Sequence, residues 1–154
     1  MSRNSITLHQ LELACQNVLD LLEAGMTENM AIRNLEQFAN VYAKLRVVGS
    51  ASPDNVHQYE TWSVSAREQY QLNPNRRPGE YLRVEHGTPR RQFARLILKG
   101  FKDGLLTEAW LNELCDLRWK VAVITHEEDK RLSRSAILDN PADRWRLANI
   151  EFGD

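Results

Sequence analysis

The sequence predicts an α+β fold, mostly helical, with an N-terminal helical hairpin and a small sheet. Three observations carry this. Apolar residues between positions 7 and 46 recur at spacings of three and four, the period of one helix face. Two short segments, 80–86 and 119–125, have the length and composition of strands. The rest of the chain is punctuated by helix-start and helix-stop signals. At 154 residues the chain fits a single domain, 1–154, with enough length to bury a core. Within it the hairpin takes 7–46 and the α+β portion takes 56–154.

The hairpin begins at a capping box, Thr7 with Gln10. Leu8, Leu11, Cys15, Val18 and Leu22 form the inner stripe of its first helix. Gly25 stops that helix, because glycine enters the left-handed region at little cost. Thr27 restarts the chain, and Ile32, Leu35, Ala39, Tyr42 and Leu45 line the second helix. So short a link makes the two helices antiparallel neighbours. Such a hairpin also offers a surface for a homo-oligomer.

The middle reads as loop at 49–55, a short strand leading to a helix capped by Ser65 with Glu68, and a basic loop at 73–79. A strand at 80–86 then meets Thr88-Pro89, an N-cap and a first-turn proline, which predicts a helix over 89–101. Phe93, Ala94, Ile97 and Phe101 are its inner face. Thr107 caps the following helix, with Trp110, Leu111, Leu114 and Cys115 inward. The segment "WKVAVIT" is apolar on both alternating faces apart from Lys120, as a buried strand is. Thr125 and Glu128 form another capping box, so a helix begins at His126. Asn140-Pro141 opens a last short helix, and "NIEF" reads as an edge strand.

Bulk charge excludes little. The formal net charge is -1, with 27% charged and 42% hydrophobic residues, the profile of a soluble globular protein. The charge is uneven, however: residues 76–102 hold eight Lys/Arg against Glu80 and Glu85. Arg76, Arg77, Arg90, Arg91 and Arg95 are therefore candidate nucleic-acid contacts. Arg90 and Arg91 sit at a helix start, where the dipole is positive and arginine is unfavourable. That points to an anionic partner or to acids packed nearby, such as Glu85. Cys15 and Cys115 read as buried small hydrophobes in a reducing compartment. No apolar run suits a signal peptide or a membrane span, so a cytoplasmic location without membrane contact is expected. Trp62, Trp110, Trp119 and Trp145 read as core, although Trp145, between two arginines, could instead stack on a base.

The candidate chemistry lies where strands end. Glu85 and His86 close the first strand, and His126 and Asp129 open the helix after the second. If the strands pair, Glu85 and His86 can face His126 and Asp129. Carboxylates and an imidazole near one point can hold a divalent ion, with phosphate and water completing its shell. A neighbouring imidazole can take a proton from water. Arginines can then bind phosphate oxygens in a bidentate way. These are the parts of metal-assisted phosphodiester hydrolysis.

The stretch "VEHGTP", Val84 to Pro89, resembles the acid-histidine-x-x-Pro opening of HNH-type, ββα-metal nucleases. "VITHEEDKRL", Val123 to Leu132, resembles the later part of that motif, where a helix supplies a second ligand. The family usually has histidine or asparagine there, and this chain has Asp129. The resemblance covers about 50 residues. It implies that Glu85 and Asp129 are metal ligands, that His86 is the general base, and that His126 is a further ligand or a phosphate contact. The ion would be Mg, Mn or Zn.

Three functions fit the sequence. One is a metal-dependent nuclease acting on DNA or RNA. Another is a non-catalytic nucleic-acid-binding protein that uses the basic segment. The third is a protein-interaction factor, an inhibitor or adaptor of a bacterial or phage system.

Overall fold

The computed structural model describes residues 6–48, 53–134 and 138–153; of the predicted loop 49–55, residues 49–52 lie outside them. In chain order the elements are α1 (Leu8–Glu23), α2 (Glu28–Ala31), α3 (Arg33–Val48), α4 (Val64–Leu72), β1 (Leu82–His86), α5 (Arg90–Lys102), α6 (Glu108–Arg118), β2 (Val121–Thr125), α7 (His126–Lys130) and α8 (Asp143–Leu147). Tight 3-10 turns occupy Pro53–Gln58 and Pro78–Glu80. The fold is mostly helical with one two-stranded antiparallel sheet, the α+β class expected. The chain divides into two compact units of interleaved sequence. One comprises Met1–Gly49 with Arg90–Leu117, and the other Ser50–Pro89 with Arg118–Asp154.

The first unit is helical. Thr7 accepts from the Gln10 amide at 3.1 Å while the Gln10 side chain accepts from the Thr7 amide at 2.8 Å, so the predicted capping box is present. Gly25 takes φ +95° where α1 ends, a conformation that favours glycine. The second helix of the hairpin is not continuous: it breaks at Ile32, whose amide closes back on the Glu28 carbonyl before α3 begins. Leu11, Cys15 and Val18 of α1, Leu35, Ala39 and Ala43 of α3, and Phe93, Ala94 and Ile97 of α5 are buried. They form the core of this unit; of the predicted stripes, Leu22 is exposed and Tyr42 and Leu45 are half-buried, while Ala43 takes an inward place the predicted stripe did not include. The Thr107 hydroxyl caps α6 through the Trp110 amide at 3.2 Å. Burial pushes the thiols up, to about 12 for Cys15 and about 11 for Cys115, which leaves both unreactive.

Charge at the start of α5 is answered within this unit. Arg91 donates to Glu36 at 2.6 Å, Arg90 to Gln37 at 2.9 Å, and Arg95 pairs with Glu28. Of the two first-turn arginines, Arg91 is thus answered by a hairpin acid, Glu36, and Arg90 by the side-chain amide of Gln37. Glu85, suggested from sequence, is not among these partners.

The second unit is built around β2. Ala122, Val123 and Ile124 are fully buried. On one side β2 pairs with β1, Leu82 opposite Thr125 and His86 opposite Val121. On the other, Trp62 makes a single parallel bridge to Val123, and Ser63 bridges Phe152, which is all the strand that "NIEF" forms. The cap of α4 is Ser63, two residues before the predicted Ser65: its hydroxyl accepts from Ala66 at 3.0 Å and donates to the buried Glu128 at 2.6 Å. The Thr125–Glu128 capping box of α7 is present. Thr88 donates its hydroxyl proton to the Arg118 carbonyl at 2.9 Å, and α5 begins at Arg90, not at the predicted Pro89. Trp145 is buried with Ala122, Ile124, Leu132 and Ile150 and lies 5.5 Å from the Phe152 ring, so it is a core residue and not a base-stacking platform. Among the described residues no helix is long and apolar enough to cross a membrane.

Gly87 is required by packing, because a Cβ there would run into the backbone carbonyl of Pro141. Gly87→Ala is expected to cost about 1–3 kcal/mol, as overpacking does. Urea unfolding measures it, and an unchanged midpoint would mean that the Pro141 segment yields without cost.

Candidate functional site

The site grows from the end of β1. Because β1 and β2 are antiparallel, Glu85 lies opposite Ala122, at the beginning of β2 and away from its end. Asp129 reaches Glu85 because α7 follows β2 without a linker and packs back on β1. The two carboxyl groups lie close enough to influence each other. The environment separates the two: Glu85 is the one that holds its proton more tightly than usual. Burial pushes Glu85 above the usual glutamate range, and the neighbouring Asp129 adds to this. Burial also pushes Asp129 upward, but Glu85 and the hydrogen bonds from Arg134 outweigh it and hold Asp129 below the usual range.

Two arginines frame the pair. Arg134 donates to Asp129 at 3.1 Å and lies 3.6 Å from Glu85 Oε2. Its side chain is 58% exposed, so it can exchange this partner for another anion. Arg144 is 2% exposed, and burial lowers its pKa from the ordinary arginine value. It donates to the Ser133 carbonyl at 2.6 Å and to the His86 carbonyl at 2.7 Å, and stands 3.7 Å from Glu85 Oε1. In the sequence Arg134 and Arg144 belong with Arg131 and Arg146 to a later basic set. The signal that could have singled out Arg144 is its place beside Trp145 on a short core helix.

His86 is buried, stacked on Trp119 with ring centroids 4.2 Å apart and planes at 22°. Its Nδ1 meets the Thr88 carbonyl, and a carbonyl only accepts, so Nδ1 carries a proton. Nε2 faces Glu85 Oε1 at 3.4 Å, and the same oxygen accepts the His86 amide at 3.0 Å. In a flat strand these two side chains would point apart. Here the glutamate turns back on its neighbour where the strand ends.

Glu85, His86 and Asp129 therefore come together, and His126 does not join them. Its amide donates to the Tyr81 carbonyl, at the other end of β1. His126 lines a separate cleft with Ser65, Glu80, Tyr81 and Arg131. Arg76 and Arg77 pair with Glu80, and Arg76 also lies 5.0 Å from the Tyr81 ring centroid. Among the described residues no three His, Cys, Asp or Glu side chains form a metal-binding group.

The opposite shifts of the two carboxyls have a pH signature. Glu85 holds its proton more tightly in the folded than in the unfolded chain, so its contribution to stability falls as pH rises above the ordinary glutamate value. Asp129 has the opposite sign: its contribution is lost as pH falls below the ordinary aspartate value. In a carboxyl-detected NMR titration Glu85 is expected to have a midpoint above the normal glutamate value, and Asp129→Asn should move that midpoint down. An unmoved midpoint would show that burial alone holds the proton. Arg144→Ala leaves a buried carboxyl and the His86 carbonyl without their donor, so a loss of about 3 kcal/mol or more is expected in denaturant unfolding. A loss below about 1 kcal/mol would refute the bridging role. Comparison with protein-family models, with curated proteins and with solved structures found no match.

Proposed function

We propose that the second unit is a metal-dependent phosphodiesterase site acting on nucleic acid. The observation that carries this is the Glu85–Asp129 pair, one carboxyl from a strand and one from a helix, brought together beside His86 and two arginines. The order β1, β2, α7 is a strand-strand-helix unit with α5 and α6 inserted between its strands. This supports the resemblance to ββα-metal nucleases.

The donor set suits a hard cation. Small divalent ions are commonly held by one or two carboxylates, with water and substrate phosphate completing the shell. Glu85 and Asp129 would hold Mg or Mn between them. An ion held there would supply Lewis-acid stabilisation of the charge that develops on a phosphoryl oxygen. The chain's own groups would do the rest. The Thr88 carbonyl fixes the Nδ1–H tautomer of His86, so Nε2 is the nitrogen that would take a proton from water. Trp119 holds the imidazole plane. Arg134, the exposed member of the cluster, would turn from Asp129 to a phosphate oxygen.

A second reading is favoured by one observation: His86 is only 3% exposed. A histidine so enclosed suits a structural role, and the protein would then be a non-catalytic binder of nucleic acid or of another protein. Incubating plasmid and RNA with Mg²⁺, Mn²⁺ or Zn²⁺ separates the two. The catalytic reading expects cleavage that falls roughly 10²- to 10⁴-fold in His86→Ala, the usual range for a general base. It also expects cleavage to be lost in Glu85→Gln and Asp129→Asn. Absence of cleavage with every metal, alongside binding that weakens steeply with salt, would establish the binder instead.

A further inference from the structure

We propose that the cleft between the 53–62 segment and α4 is a stacking site for an unpaired nucleobase of a single-stranded nucleic acid. This rests on the nucleic-acid reading above and names the form of substrate. The cleft, of about 450 Å³, is lined by His57, Tyr59, Glu60, Trp62, Arg67 and Tyr70. That size lies in the range of small-ligand sites.

Its walls are aromatic and held in place. The Trp62 indole N–H donates to the Tyr59 carbonyl at 2.8 Å, which fixes the ring. Tyr70 stands edge-on to Trp62, centroids 5.2 Å apart at 64°, and remains 41% exposed. The Arg67 guanidinium lies 5.7 Å from the Trp62 ring centroid, a cation over a π face. Tyr59 is 5% exposed and forms the floor. A planar group can stack on Tyr70, Glu60 and His57 offer polar groups at the rim, and Arg67 supplies a cation for a phosphate. An aliphatic ligand would use neither the exposed ring nor the cation. A base attached to its sugar-phosphate uses both, and such stacking tolerates any sequence. The cleft also sits on the sheet of the proposed hydrolytic site. Trp62 bridges Val123 and Val123 pairs with Val84, which places the Trp62 backbone two strand spacings, roughly 10 Å, from the residue before Glu85.

The test is binding of a ten-nucleotide thymidine strand and of an abasic strand of the same length, read by tryptophan fluorescence in EDTA so that no cleavage intervenes. The thymidine strand should bind at least several-fold more tightly than the abasic one. Tyr70→Ala should weaken the thymidine strand roughly 5- to 100-fold and Tyr70→Phe should restore it. Arg67→Ala should weaken both strands. Equal affinity for the two strands, or an unchanged affinity in Tyr70→Ala, would overturn the proposal. So would binding of an aromatic dipeptide amide in place of the thymidine strand, which would make the cleft a protein-docking site. Binding is read in EDTA, where cleavage plays no part, so failure of the catalytic reading is distinguishable from failure of this one. Metal-dependent cleavage without base-dependent binding would overturn only the stacking site.

Discussion

The second unit depends on a buried positive charge. Arg144 cannot shed its proton under ordinary conditions, and moving a guanidinium out of water is costly unless its donors are satisfied. Here the fork is answered by two backbone carbonyls, those of Ser133 and His86, with the Glu85 carboxyl close by. Those partners come from three parts of the chain, so none can move without leaving polar groups unpaired. The position of Glu85 follows from this, and with it the geometry of the carboxyl pair. Arg144 also lowers the cost of ionising Glu85, against burial and Asp129, which raise it. The two carboxyls are thereby pushed in opposite directions, the kind of environment in which carboxyls take on chemical roles.

Much of the fold was legible because it rests on local rules. The capping boxes at Thr7 and Thr125 need only a hydroxyl and a carboxyl or amide three residues on, and both occur. The stripes of α1 and α5 follow from one period. What failed was local choice between equivalent signals. Ser63 and Ser65 are both plausible caps in "SVSA", and the backbone bridges at Trp62 and Ser63 decide for Ser63. The break at Ile32 has no punctuating glycine or proline, so periodicity ran straight through it.

The candidate site was legible in part. Glu85, His86 and Asp129 were recognisable as chemistry-bearing residues at strand and helix ends, and strand pairing brings them together. The fate of His126 turned on the sense of that pairing. Antiparallel strands put the end of one beside the start of the other, which sends His126 toward Tyr81 and leaves only a helix folding back to reach Glu85. The arginines were illegible for a different reason. A basic stretch shows where charge lies but not what answers it. Glu28 and Glu36, more than fifty residues earlier, answer Arg95 and Arg91.

The interleaving of the two units also constrains how the chain is assembled. Antiparallel neighbours such as β1 and β2 can be joined by a two-residue turn, yet here residues 87–120 lie between them. Registering the sheet therefore closes a long loop, at an entropic cost of about 3 kcal/mol in the simplest chain estimate. Folding the segment that becomes α5 and α6 shortens the effective loop and makes that closure cheaper. The same connectivity means that no single cut of the backbone releases either unit whole. A break between α3 and α4 strands α1–α3 without α5, and a break before β2 divides the sheet. The protein is thus two units in space that must be inherited, expressed and degraded as one.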